Sequence, residues 1–162
     1  MATLSVLRFS TPDGAQKMES TLLELQRQHL IEVQDAAIVT WPLGKTKPQT
    51  KQLRSLVGQG ALTGAFWGML FGLLFFVPFF GLAVGAAIGV LSGKFADYGI
   101  DDNFIKQTRE KVTEGTSALF LLTARAVQDK VVEAMQGQTF EILSTSLSKE
   151  KEDELRAAFG VD

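Results

Sequence analysis

The side chains that most often carry chemistry are few in this sequence, and their spacing does not predict a catalytic set. The chain has one histidine, His29, and no cysteine, which excludes disulfides, thiolate metal sites and a cysteine nucleophile. A lone histidine at the end of an amphipathic helix is more typical of a surface position than of a ligand cluster. Asp97, Asp101 and Asp102 are carboxylates of the kind that bind cations, but acidic residues at a helix N-terminus explain two of them without a metal. We therefore expect no catalytic residue, no metal and no cofactor.

The strongest motif is a repeat of glycine at every fourth position, in two runs separated by a turn around Pro78. Residues four apart share one face of a helix, so each run predicts a helix along which another backbone can approach closely. Glycine costs about 1 kcal/mol relative to alanine in a water-exposed helix, so we expect lipid or protein to cover these helices. The runs are not a phosphate-binding loop, because phenylalanine follows Gly93-Lys94 where serine or threonine is required. The predicted helix-packing residues are Gly60, Gly64, Gly68, Gly72, Gly81, Gly85, Gly89 and Gly93.

Residues 56–93 contain no charged side chain and are predicted to form an apolar helical hairpin. At 1.5 Å per residue, the arm 60–77 is roughly 27 Å long, close to the thickness of a bilayer core, and the arm 79–93 is roughly 22 Å long, which is short for a crossing. The tip between the arms has no polar side chain to mark a far membrane surface. A spanning hairpin, a re-entrant hairpin and the core of a soluble oligomer therefore stay open. The core of a monomer is the least favoured placement, because a small domain cannot wrap both arms.

Basic residues flank the hairpin and indicate how it would be oriented. By the positive-inside rule they place both flanks and both termini in the cytoplasm, with the hairpin in the inner membrane. A soluble cytoplasmic assembly is the alternative. Trp41 and Trp67 are candidate interfacial anchors, and Trp41 is equally a candidate core residue at the end of a strand. The net charge of −2 and the lack of interleaved basic and aromatic residues argue against a nucleic-acid partner. The predicted membrane-flanking residues are Lys45, Lys47, Lys51, Arg54 and Lys94.

The remaining sequence has the length and patterning of one α+β domain covering residues 1–162. Two halves, each with two strands and an intervening helix, predict a ferredoxin-like βαβ...αβαβ sandwich with the hairpin inserted between the halves. A three-layer or mixed sheet with the same elements in another order is the alternative. Alternation and helical spacing predict strands at 3–9, 30–41, 117–123 and 138–144, helices at 15–29, 103–113, 127–135 and from 148, and an exposed basic linker at 43–55.

The glycine repeat, with the residues that follow it, resembles a bacterial family of predicted membrane proteins of unknown function. Members share a glycine-zipper hairpin within a small α+β domain, and the resemblance covers most of the chain. It implies membrane association and a bacterial origin, and it transfers no catalytic residue. Besides the glycines, it rests on Lys94, Asp97, Tyr98, Gly99, Ile100, Asp101 and Asp102.

The sequence therefore favours a non-enzymatic, self-associating protein held at a lipid bilayer by its hairpin. The resemblance to stress-type glycine-zipper proteins implies a part in stress response or membrane organisation. A soluble homo-oligomeric shell or scaffold, with the hairpins in its core, is the first alternative. An oligomeric channel is the second, although arms without charge offer no evident source of ion selectivity.

Overall fold

A computed structural model describes residues 2–28, 33–53, 64–76, 95–123 and 140–159. The described strands and helices alternate along the chain much as the hydrophobic pattern predicts. A π-helical turn, Gly72–Phe76, continues the second helix directly. In chain order the elements are β1 (Ala2–Phe9), α1 (Gly14–Arg27), β2 (Val33–Thr40), β3 (Gln49–Gln52), α2 (Gly64–Phe71), α3 (Asp102–Lys111), β4 (Ser117–Thr123), β5 (Phe140–Leu147) and α4 (Lys149–Phe159).

The strands form one antiparallel sheet in the order β3-β2-β4-β1-β5. β1 lies between β4 and β5, so that Val6 is paired with Phe120 on one side and with Leu143 on the other. A β-bulge near Asp35 interrupts the pairing of β2 with β4. The α+β class expected from the sequence is confirmed.

One face of the sheet packs against α1. The apolar residues of α1 recur at helical spacing, and Met18 and Leu22 are fully buried against Leu7 of β1 and Leu119 of β4. Ser117, at the start of β4, fixes the beginning of this helix. Its hydroxyl accepts a hydrogen bond from the Ala15 amide at 2.9 Å and donates one to the Thr11 carbonyl at 2.7 Å.

The opposite face of the sheet is covered by α2, the π-helical turn, α3 and α4. Leu4 and Val6 of β1 and Phe120 of β4 point to this side, since successive strand residues alternate between faces. Every residue of β4 is buried, as its continuous apolar run predicts for a strand covered on both sides. The described helices therefore lie on both faces of the sheet.

The basic segment 43–55 is not a linker throughout, because Gln49–Gln52 form β3 and pair with β2. The sequence gives little sign of this strand, since it is four residues long and wholly polar. The predictions for His29, for the helix at 127–135 and for the second arm of the hairpin concern residues outside the described ranges.

Candidate helix-packing site

Helix α2 has two sides of different character. Phe66, Trp67, Leu70 and Phe71 are buried, whereas the side formed by Gly64, Ala65, Gly68 and Met69 is exposed. This division follows the 3.6-residue period, which places residues 64 and 68 on the side opposite 66 and 70. We call the buried side the aromatic face and the exposed side the glycine face.

The aromatic face lies against the domain's own sheet. The Phe71 ring meets the Phe120 ring edge to face at 5.1 Å between centroids, and Trp67 meets Phe120 at 6.3 Å. Phe66 makes a similar contact with Phe95 at 5.9 Å. From the sequence, the core of a monomer is the least favoured placement of this segment. That expectation is wrong for Phe66, Trp67, Leu70 and Phe71, because the sheet face that carries Leu4, Val6 and Phe120 is apolar and these side chains cover it.

No residue that the structure describes covers the glycine face. A Cβ atom added to Gly68 or Gly72 would meet no described atom within 4 Å, and one added to Gly64 would come only to 3.9 Å from the Gln52 side-chain oxygen. Met69, at the margin of this face, is 43% exposed. The spacing thus correctly places Gly64 and Gly68 on one side of a helix. The other predicted packing glycines, Gly60, Gly81, Gly85, Gly89 and Gly93, lie outside the described residues.

The π-helical turn at the end of α2 is attached to α3 through an arginine. The Arg109 guanidinium donates from Nη2 to the Leu73 carbonyl oxygen at 2.6 Å and from Nε to the Leu74 carbonyl oxygen at 3.3 Å. Hydrogen bonds from a charged donor are stronger than neutral ones. Within its own helix, Arg109 is a basic residue of the last turn, where positive charge is favourable. Arg109 comes 35 positions after Leu74 and 36 positions after Leu73. No local sequence pattern reveals hydrogen bonds between residues so far apart in the chain.

Both tryptophans contact the core, which agrees with the core interpretation of Trp41 and differs from the interfacial position expected for Trp67. Trp41 is partly buried, meets Phe75 edge to face at 5.9 Å, and donates its indole N–H to the Lys45 carbonyl at 2.9 Å. Trp67 is 3% exposed, yet its indole N–H has no hydrogen-bond partner among the described residues. A buried donor without an acceptor is uncommon and unfavourable.

Three of the predicted membrane-flanking residues are described, and all three are exposed: Lys45 and Lys47 between β2 and β3, and Lys51 within β3. β3 also contacts α2 through Gln52, which lies beside Gly64. The lysines and the start of α2 are therefore associated with the same edge of the sheet. Arg54 and Lys94 lie outside the described residues.

Asp101 and Asp102 have structural roles at the start of α3. The Asp101 carboxylate accepts a hydrogen bond from the Phe104 amide at 2.9 Å and caps α3, and Asp102 lies in the first turn of that helix. Within the described ranges, no group of three or more histidine, aspartate or glutamate residues is placed to hold a metal ion. The cap formed by Asp101 and the first-turn position of Asp102 are the favourable places for acid at a helix N-terminus.

Two surface carboxyls have perturbed acidity, and each has a simple electrostatic cause. A hydrogen bond and charge attraction from Lys111, whose Nζ lies 3.0 Å from the carboxylate, lower the pKa of Glu141. A hydrogen bond from Lys17 chiefly lowers the pKa of Asp13, with a further contribution from Thr11. Both groups are stabilised as anions on the surface, which is the opposite of the raised pKa that a general acid needs.

A cleft of about 340 Å³ lies between α1 and the β2–β3 edge. Ile38 and Leu53 provide apolar lining, and the other lining side chains are polar. The cleft contains no histidine and offers one carboxylate, Glu19, and one ammonium group, Lys51. This pairing does not define a reaction. The polar lining residues are Gln16, Glu19, Thr40, Gln49, Thr50 and Lys51.

In the described portion of the chain, no helix combines the length and apolar character needed to cross a membrane. The longest described apolar helical stretch is α2 with its π-helical turn, Gly64–Phe76, which contains no charged side chain.

The fold and the site together define a small α+β domain with an apolar helix docked on its sheet. Residues 61–160 match the family described as "Protein of unknown function (DUF1269)". The match covers more than half of the 162 residues, so the chain belongs to this family. Neither a curated protein nor a solved structure matched the chain.

The matched region begins before α2 and ends with α4, so it leaves out β1, β2 and β3. Because β1 lies between β4 and β5, the two matched strands are not neighbours in the sheet. The matched segment therefore depends on the N-terminal residues to complete its fold.

Proposed function

We propose that this protein is non-enzymatic, associates with copies of itself through the glycine face of α2, and is attached to a lipid bilayer by its apolar hairpin segment. The observation that carries the proposal is a glycine face that no described residue covers, on a helix whose aromatic face is already packed against the sheet. Small residues on one helix side allow two backbones to approach closely, which favours helix association.

The energetic argument starts from the cost of glycine in a helix. Gly64 and Gly68 in α2, and Gly72 directly after it, together cost roughly 3 kcal/mol relative to alanine if each costs about 1 kcal/mol. No described side chain makes use of the missing Cβ atoms at Gly68 and Gly72. A second helix lying in the groove would offset that cost through close packing.

For the domain as a whole, we propose a ferredoxin-like arrangement in which the inserted segment forms the third layer. Without β3, the strand order is β2-β4-β1-β5, which is the order expected when two βαβ halves interleave in an antiparallel sheet. A two-layer sandwich would leave one sheet face open. Here α2, an inserted element, covers that face with Phe66, Trp67, Leu70 and Phe71.

Membrane attachment is supported by composition and by the position of charge. Residues 56–93 have no charged side chain, and the lysines before them are exposed at the sheet edge that α2 adjoins. Near an anionic surface, each lysine contributes about 1 kcal/mol of attraction. We place the domain and both termini on the cytoplasmic side of the inner membrane, in a role such as membrane organisation or stress response.

A soluble homo-oligomer is the second candidate, and one observation favours it. The aromatic face of α2 is buried within its own domain, so this part of the hairpin segment needs no lipid to cover its bulky side chains. In that case only the glycine face would require a partner, and a second copy of the chain would supply it.

Purification followed by light scattering tests the proposal. The native chain should be found in the membrane fraction, and in mild detergent its protein mass should be a multiple of 17.7 kDa. Gly68→Leu fills the groove and should reduce the mass toward that of one chain. Met69→Leu keeps the volume at the margin of the same face and is the matched control, for which we expect no change.

Each contrary result has a definite meaning. A uniform oligomer in the soluble fraction would replace the membrane proposal by the soluble assembly. A monomer in both buffer and detergent, with Gly68→Leu indistinguishable from the native chain, would contradict self-association itself.

A further inference from the structure

We propose that the aromatic face of α2 is a concealed lipid-binding surface and that Arg109 is the latch that keeps it docked on the sheet. The inference rests on the proposed membrane association and adds to it which surface meets lipid and what restrains it. In the docked state the face covers the sheet. In the released state the same side chains enter the bilayer.

The first supporting observation is the composition of the docked element. From Gly64 to Phe76 the only side-chain polar atom is the Trp67 indole nitrogen, and the exposed side consists of glycine, alanine and methionine. A surface helix of a water-soluble domain normally has a polar outer side, whereas a helix that is apolar all round belongs in a core or in a membrane. α2 therefore has the composition of a bilayer element while it lies on a protein surface.

The second observation is the buried indole N–H of Trp67, which has no acceptor among the described residues. The ring is enclosed by the aromatic groups of Phe66, Phe71 and Phe120. Docking thus leaves a polar group unsatisfied. At the boundary between lipid and water the indole N–H finds acceptors, which is why tryptophan concentrates there in membrane proteins. Release of the helix removes this penalty.

The third observation is the restraint at the end of the helix. Arg109 donates to the carbonyls of Leu73 and Leu74, within a π-helical turn, a widened geometry often found at functional positions. Arg109 is an exposed residue, so an anionic headgroup is able to compete for its guanidinium. Loss of these hydrogen bonds to the headgroups would loosen the turn and the attached helix.

The test uses the full chain with Trp41→Phe. The native chain has two tryptophans, so Trp67 is the one that remains. Phosphatidylcholine vesicles containing brominated phosphatidylcholine, which have no anionic headgroups to compete for Arg109, report by fluorescence quenching whether Trp67 enters the bilayer. Arg109→Gln should raise the partition of the Trp67 ring into the vesicles by about tenfold, the change that about 1.4 kcal/mol produces. Arg156→Gln is the matched control, because Arg156 pairs only with Glu152 on α4 among the described residues and should leave quenching unchanged.

A second measurement, hydrogen exchange in buffer without lipid, tests the restraint by Arg109 separately from the binding of the aromatic face to lipid. Arg109→Gln should speed exchange at the amides of Gly72–Phe76 while those of β4 stay protected, which also shows that the variant is folded. Unchanged exchange at Gly72–Phe76 would overturn the latch, and vesicle binding by the native chain would still decide the proposed function. Faster exchange with no entry of Trp67 into vesicles would overturn the lipid-binding surface. Full quenching of Trp67 in the native chain would show that no latch operates.

Discussion

Replacement of Phe71 by alanine probes whether α2 is part of the domain's own core. Phe71 is 3% exposed, and its ring lies 5.1 Å from that of Phe120 on β4, 5.7 Å from Trp67 and 6.0 Å from Phe75. Truncation of a buried phenylalanine to alanine typically costs about 3–5 kcal/mol, from lost burial and from the cavity left behind. Small domains are stable by only about 5–15 kcal/mol in total. The variant should therefore lose a large part of its stability.

Urea denaturation followed by circular dichroism measures this loss, with Met69→Ala as the comparison. Met69 is on the same helix but 43% exposed, so its truncation should cost less than about 1 kcal/mol. Both substitutions introduce alanine into α2, so their effects on helix propensity are similar. Equal and small losses for the two variants would refute the docking of the aromatic face on the sheet.

Three further predictions concern single interactions. Trp67→Phe should cost less than about 2 kcal/mol in urea denaturation, since the indole N–H has no partner to lose. Asp101→Ala removes the carboxylate that caps α3 at the Phe104 amide and should lower the free energy of unfolding by about 0.5–2 kcal/mol. Lys111→Met should raise the pKa of Glu141 toward its ordinary value, because Lys111 is the main cause of the lowered pKa. Titration of the Glu141 carboxyl by NMR measures that change.

The contribution of the Lys111–Glu141 ion pair to the free energy of unfolding depends on pH. Because its pKa is lowered in the folded state, the ion pair contributes stability above the ordinary glutamate pKa and loses it as the pH falls through the lowered value. The stabilities of the native chain and Lys111→Met should therefore converge in acid. An unshifted pKa of Glu141 in Lys111→Met would assign the effect to another group.

The two stability predictions also have contrary results. A loss of stability in Trp67→Phe as large as that expected for Phe71→Ala would contradict the unpartnered indole N–H. An unchanged stability in Asp101→Ala would contradict the helix cap.

Much of the sheet was predictable because its patterns are local. The uninterrupted apolar run Ser117–Thr123 predicts a strand buried on both faces, and β4 is such a strand. Asp101 before an amphipathic stretch predicts a helix start, and the carboxylate caps α3. By contrast, Gln49–Gln52 has no apolar alternation, and only its pairing with β2 makes it a strand.

The site was predictable in part. Fourfold spacing is sufficient to place Gly64 and Gly68 on one helix side, and both are on the exposed side of α2. A segment that is apolar all round gives no local signal of which side is buried or in what medium. Burial of the aromatic face on the sheet and the bonds from Arg109 to Leu73 and Leu74 are long-range contacts, which sequence periodicity does not encode.

The central claim is that the glycine face of α2 meets the same face of another copy. Since the chain has no cysteine, a single Gly68→Cys substitution provides an unambiguous reporter, with Asn103→Cys on the exposed start of α3 as control. Disulfides need Cα atoms within about 7 Å, a distance that close helix packing supplies. Under mild oxidation we expect a covalent dimer from Gly68→Cys and little from Asn103→Cys. If light scattering shows that Gly68→Cys is oligomeric but oxidation gives no covalent dimer, the claim is contradicted.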